Sequence, residues 1–229
     1  MDGTPLAGFD PQRTYYEWTV PYGERSKVPK VEAVSGHEVS VQTAESIPGK
    51  TYIDVTDPSR PEVSNRYTIA FTVGPLIGDP PPGFRLPVRE VTASAVPQAN
   101  QGHTPDKTMD GDMITRWTSE GPQWIQYDLG EAKQVGAVSI AFFSGNTRKS
   151  YFTIDVSVDG VHWEQVYAEG VSSGLTAEPE VFLFPEVTAR YIRINGSGNT
   201  SNQWNNYAEV GIFKPMRGNA ENSILRDAG

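Results

Sequence analysis

Phe152, Ile154, Val156 and Val158 alternate with Thr153, Asp155 and Ser157, and the run stops at Asp159-Gly160. Successive side chains of a strand point to opposite faces, so this beat gives one apolar and one polar face, and Asp-Gly suits a tight hairpin turn. An amphipathic helix needs a period near 3.6, and no segment of the chain keeps one. The two-residue beat returns at Tyr67, Ile69, Phe71 and Val73. Turn formers separate the runs: 22 Gly and 18 Pro among 229 residues leave little room for long helices. The chain is therefore expected to be all-β.

Gly74-Pro75-Leu76-Ile77-Gly78-Asp79-Pro80-Pro81-Pro82-Gly83 combines turn formers with a stiff polyproline stretch and predicts a boundary. The expected organisation is a small β-sandwich over 1–75, a semi-rigid linker over 76–87, a larger jelly-roll-like sandwich over 88–215, and a tail or linker stub over 216–229. Strands are expected first at 15–20, 31–34, 39–43, 52–55 and 66–73, with a turn at 47–50. In the second half they are expected at 124–129, 135–143, 152–158, 163–167, 181–184, 191–194 and 209–213. Trp117 and Trp124 are read as core residues, and Trp163 as packing behind its hairpin.

Composition excludes several function classes. The formal net charge of −9 argues against nucleic acid, whose binding rests on clustered Lys and Arg, and against anionic membrane surfaces. No apolar run approaches the roughly 18 residues of a membrane span. With no cysteine there is no disulfide frame, thiolate metal site or cysteine nucleophile. Met1-Asp2-Gly3-Thr4-Pro5 lacks a basic start and an apolar stretch, and reads as the start of an excised piece. His37, His103 and His162 are not paired at metal-ligand spacing, and no nucleophile elbow stands before a helix, so no catalytic role is expected.

One loop carries cation chemistry. Lys107-Thr108-Met109-Asp110-Gly111-Asp112-Met113-Ile114-Thr115-Arg116-Trp117 places carboxylates two apart around a glycine, with a hydroxyl three further on. Hard cations take such oxygens at about 2.3–2.6 Å. Asp-Gly is also an ordinary reversal signal, so the loop by itself leaves a plain turn open.

With the strands in order, the second half resembles a discoidin-type domain, the coagulation factor V/VIII type C fold, and within it a carbohydrate-binding module of family 32. The cation loop carries the likeness together with Gln123-Trp124-Ile125-Gln126-Tyr127-Asp128-Leu129-Gly130, the hairpin Val156 to Trp163, and the closing strands Ala189 to Ile194 and Tyr207 to Val210. The resemblance implies an ion held by Lys107, Asp110, Asp112, Thr115, Ala208 and Glu209. Three carboxylates favour calcium on charge, with sodium as the alternative, and the ion's role would be structural. The first half resembles immunoglobulin-like or cadherin-like sandwich units beside such modules in secreted bacterial polysaccharide lyases and glycoside hydrolases. That implies a spacer without chemistry.

Relatives bind sugar through loops at one end of the sandwich. Here the corresponding segments are 118–122, 144–151 and 196–206. Trp204 among amides offers a stacking face, and the expected sugar contacts are Trp204, Arg148, Asn146, Asn202, Asn199, Lys149, Glu120 and His103, with Arg148 and Lys149 suited to a uronic-acid carboxylate. The reading implied is a non-catalytic, secreted, monomeric accessory region of a larger polysaccharide-degrading enzyme, with a polysaccharide partner. A structural spacer, or a protein-adhesion discoidin module without sugar binding, is the alternative.

Overall fold

The computed structural model describes residues 3, 5–20, 24 and 26–216. The expected tail falls outside the described residues from 217 onward. The chain is all-β and separates into two compact units, 1–74 and 75–229.

The first unit holds strands β1 (Tyr15–Val20), β2 (Glu38–Gln42), β3 (Gly49–Asp57) and β4 (Arg60–Val73) in one sheet of order β1-β4-β3-β2. β1 runs parallel to β4 and the other pairs are antiparallel. Tyr16, Val20, Ile53, Ile69 and Phe71 line its buried face and meet Val31, with Leu6 and Val28 packed against them. The immunoglobulin-like expectation is corrected here: among the described residues there is one sheet, not two. The segment 31–34 is not a strand. It follows Pro29, Val34 is fully exposed, and irregular chain covers the face that a second sheet would cover.

The second unit is a jelly roll built on two strands of 20 residues, β8 (Gln123–Phe142) and β11 (Glu180–Asn199). Around them stand β5 (Leu76–Ile77), β6 (Glu90–Ala93), β7 (Trp117–Glu120), β9 (Ser150–Ser157), β10 (Glu164–Val171) and β12 (Trp204–Phe213), in the order β10-β9-β11-β8-β12-β7, with β5 on β11 and β6 on β8. Sequence reading split β8 and β11 into two strands each. Register shifts between Leu183 and Val187 and between Ala189 and Tyr191 bend the pair without breaking it. The core holds Trp117, Ile125, Tyr127, Ile140, Phe142, Phe152, Ile154, Ile192, Ile194 and Tyr207, with Phe152 meeting Phe182 edge-on at 4.8 Å between ring centroids.

The expected linker is also corrected, because 76–86 is sewn onto the second unit. Val138, Ile140 and Phe142 of β8 join the core, while the alternate residues Ala137, Ser139 and Ala141 are small yet buried. Asp79 accepts a hydrogen bond from Ser139 Oγ at 2.6 Å and pairs with Arg85 at 2.8 Å. Leu86 N–H donates to Ile212 O and Lys214 N–H to Phe84 O. A strand buried on both faces reads as a continuous apolar run, as 135–143 does, and here part of the cover comes from the proline-rich segment. Val158 falls outside the predicted face: β9 ends at Ser157, and Val158 is exposed at the turn.

Candidate functional site

The cation loop follows a 3-10 turn at Pro105–Met109. Gly111 takes a left-handed φ of 78°, which turns its N–H onto Glu209 Oε1 of β12 at 2.8 Å. Asp110 accepts from Asp112 N–H at 3.0 Å, from Thr115 Oγ1 at 2.9 Å and from Lys107 Nζ at 3.1 Å. Glu209 comes from the opposite end of the unit to face Asp110. Burial raises its carboxyl above the usual range, and the Asp110 charge adds to the rise. Burial opposes the charge on Asp110 as well, but its hydrogen bonds from Asp112, Thr115 and Lys107 prevail and hold it below the usual range. β12 shifts register between Tyr207 and Glu209, which takes Ala208 out of the regular ladder. Thr115 Oγ1 lies 3.4 Å from Lys107 O, so that carbonyl borders the same loop.

The carboxylates of this loop do not all turn to one point. Asp112 turns its carboxylate to Ile114 N–H at 2.9 Å, and among the described residues no three acidic or imidazole groups converge. The acidic part of the loop is the pair Asp110 and Glu209.

The sugar-loop residues lie on connected segments. Lys149 N–H donates to Thr200 Oγ1 at 3.2 Å and Thr200 N–H to Lys149 O at 2.9 Å, tying 144–149 to 199–203. Trp204, half-buried, stands opposite Glu120 in the β12–β7 register. Asn146 and Asn202 are exposed, although Asn202 Oδ1 accepts from Trp204 N–H at 3.0 Å. Asn199 is different. It is 9% exposed, its Nδ2 donates to Asn202 and to Trp204 O, and its Oδ1 accepts from Ser201 and Asn202 N–H. It braces the loop from inside.

Two residues that sequence reading missed organise this end of the unit. Asn205, 1% exposed, accepts from Gly198 N–H at 2.9 Å and donates to Ser119 O and Gly121 O at 3.2 and 2.8 Å. Its place in an Asn-rich run hid it. Arg116 lays its guanidinium 3.9 Å from the Phe143 ring centroid, and Arg148 donates to the Phe143 carbonyl at 3.1 Å. Burial, then the Arg148 charge, lowers the Arg116 guanidinium below its usual value. Burial, then Arg116, lowers the His103 imidazole. Arg116 and Arg148 thus form a cationic pair beside the His103 imidazole, and no described ion pair gives Arg116 or Arg148 a carboxylate. Arg116 lies just before β7, outside any strand, and its Nε is buried, so no periodicity in the sequence marked it.

Trp124 is not a core residue. It lies half-buried on the outer face of β8, where Arg193 of β11 is held between it and Trp163, with the guanidinium carbon 4.3 and 3.8 Å from the two ring centroids.

Comparison with known proteins places these features. The F5/8 type C domain family matches residues 90–210. No curated protein sequence matches the chain. Among solved structures, the chain is similar to the CBM32 of AlyQ in complex with 4,5-unsaturated mannuronic acid, at 43% identity over 57% of this chain and 98% of that one, with a TM-score of 0.54. It is similar to truncated AlyQ with CBM32 and alginate lyase domains at 42% identity, spanning 58% of this chain but only 34% of that one, with a TM-score of 0.55. A pectin-binding carbohydrate-binding module matches at 31% identity over 58% and 97% of the two chains, with a TM-score of 0.54. Fold, loop order and the family match agree: the chain belongs to the F5/8 type C domain family through its second unit.

Proposed function

We propose that the second unit binds a carboxylate-bearing glycan at the 144–149 and 199–204 loops, as a non-catalytic part of a longer polysaccharide-degrading protein. The pair Arg116 and Arg148, beside the His103 imidazole, carries this reading. Two arginines that no described ion pair gives a carboxylate favour an anionic ligand, and a guanidinium fork fits a carboxylate. Trp204 beside the loop adds an indole for a sugar C–H face. The solved modules described as binding mannuronic acid and pectin support an acidic sugar. A polymer too large to cross a membrane would be met outside the cell, so the protein is expected to act there.

The cation loop would serve as a structural clamp. Asp110 and Glu209 would hold calcium with carbonyl oxygens of Lys107, Asp112, Thr115 and Ala208. The fit rests on two facing, partly buried carboxylates and a carbonyl released from the ladder by a bulge. When bound, the ion would neutralise the facing carboxylates and tie the 105–115 segment to β12.

Affinity electrophoresis through gels containing alginate, pectin or chitosan tests the glycan reading. The wild type is expected to be retarded by the two polyanions, and Arg148→Ala or Trp204→Ala to migrate freely. A wild type that no polymer retards, or that only the polycation chitosan retards, would overturn it.

A further inference from the structure

Glu180 is a carboxylate only 2% exposed at the start of β11, across Ile140 of β8 from Val210 of β12. It accepts from Ser173 N–H at 2.9 and 3.1 Å and from Ser173 Oγ at 3.0 Å. Ser173 Oγ in turn accepts from Leu175 N–H at 3.1 Å, closing the turn 172–176. The loop that carries Arg148 rests on this turn. Ser150 and Ser172 exchange hydrogen bonds at 2.8 and 3.0 Å. Gly174 lies so near Lys149 and Arg148 that an added Cβ would sit 3.0 Å from Lys149 Cγ, and one on Gly145 would meet Thr176 O at 2.5 Å. Two glycines in close contact make the turn and the loop one packed body.

We propose that Glu180 is a positioning residue for glycan binding: its ionised carboxylate fixes the 172–176 turn, and the turn fixes the loop that presents Arg148. The inference rests on the reading of Arg148 as a ligand contact. β8 and β5 set Ile140 and Ile77 opposite Glu180, so neither supplies a counter-charge there. The charged side chains on the adjoining segments are Glu178, exposed, Lys149 and Arg148 across the turn at Gly174, and Asp79, two residues beyond Ile77 and paired with Arg85. Hydrogen bonds to an ionised acceptor are roughly twice as strong as neutral ones, so a proton on Glu180 loosens the turn.

Binding and folding then respond to acid in opposite directions. Burial raises the Glu180 carboxyl above the usual range, against the hydrogen bonds from Ser173. A group whose folded value exceeds its unfolded value contributes stability that is present at low pH and lost as pH rises. Acidification through this range therefore favours the fold on Glu180's account while it weakens the grip on Arg148. Loss of affinity on acidification is then not unfolding.

The test measures affinity for a mannuronate hexasaccharide by calorimetry between about pH 8 and pH 5, above the titration of the sugar carboxylates. Wild type, Glu180→Gln, Ser173→Ala and Arg148→Ala are compared. Glu180→Gln is expected to bind about 3- to 10-fold more weakly than wild type at the alkaline end, the range in which charge-assisted bonds become neutral ones. The difference should shrink toward acid, and Ser173→Ala, which keeps the backbone N–H donor and loses the Oγ bond, should weaken binding by less than Glu180→Gln. His103 titrates in all the proteins, so the difference between wild type and Glu180→Gln isolates Glu180. Amide hydrogen exchange of 144–149 and 172–176 is measured without ligand, and Glu180→Gln should exchange faster in both. Equal affinities with unchanged exchange would overturn the proposal. If Arg148→Ala binds as wild type, the contact reading fails instead, and the exchange result alone decides whether Glu180 holds the loop.

Discussion

Replacing Asn205 is the most direct test of how the ligand end is held together. Its side chain makes three hydrogen bonds, all to backbone groups, on two segments: Gly198 N–H on β11, and Ser119 O and Gly121 O at the end of β7. Asn205→Ala removes all three in a site where the residue is 1% exposed. At about 1 kcal/mol for each net bond, with a further desolvation cost for any group left stranded, the loss is about 2–4 kcal/mol. For a unit of this size that corresponds to roughly a 5–15 °C fall in Tm. Asn205→Asp is the sharper variant. It keeps an acceptor for Gly198 but turns a second oxygen toward two carbonyls, which is tolerable only when that oxygen carries a proton. The introduced carboxyl would have a raised folded pKa, so its deficit should be largest at neutral pH and shrink as pH falls toward that value. Scanning calorimetry of the full chain at neutral and mildly acidic pH reads both effects. An Asn205→Asp deficit that is absent, or the same at both pH values, would refute the account of a buried amide serving one donor and two acceptors.

Three further outcomes follow from the same geometry. Ile154→Ala, at a fully buried position on β9, should cost about 2–5 kcal/mol in chemical denaturation of the second unit, and a loss below about 1 kcal/mol would place Ile154 outside the core. At free calcium near 100 times Kd the ion should add about 2.7 kcal/mol, so chelation should lower Tm in wild type, while Asp110→Asn should be insensitive to calcium; a wild type indifferent to chelator would remove calcium from the clamp. In NMR titrations His162, paired with Asp159 at 2.8 Å, should protonate above the ordinary imidazole value, and His103, pressed by burial and Arg116, below it. The His162 contribution is then present at low pH and lost as pH rises through its folded value, whereas His103 opposes folding as pH falls through the unfolded range. An anionic sugar should raise the His103 value, and no shift on binding would place the ligand elsewhere.

Much of the second unit was legible because its strands carry their own periodicity. Phe152, Ile154 and Val156 point inward as alternation requires, and the family motifs fixed the order of the elements. What alternation cannot show is where two short patterned runs form one bent strand: the bulges in β11 fall at Pro185-Glu186 and Ala189-Arg190, where the pattern lapses although the pairing resumes. The first unit was less legible, since Val31 to Val34 has strand composition but no partner strand, and composition does not count sheets. In the ligand loops, residue type located the right segments but not each residue's task. Asn199 and Asn205 were equally plausible as surface amides, and only the fold shows both turned inward to hold backbone. Arg116 escaped notice because its neighbours announced a cation loop, while its own side chain belongs to the opposite kind of site.

The docked segment 76–86 also decides where this module can be cut. A fragment begun at Val88 would keep every family motif yet strip Asp79 from Ser139, Arg85 from the Val210 carbonyl at 3.1 Å, and Leu86 from the core. Ala137, Ser139 and Ala141 would become a shallow trough along the middle of β8, too small-featured to be covered by their own side chains. Such a fragment would be expected to associate through that trough. The unit that can be moved between proteins without loss begins at Pro75, at the division between the two compact units.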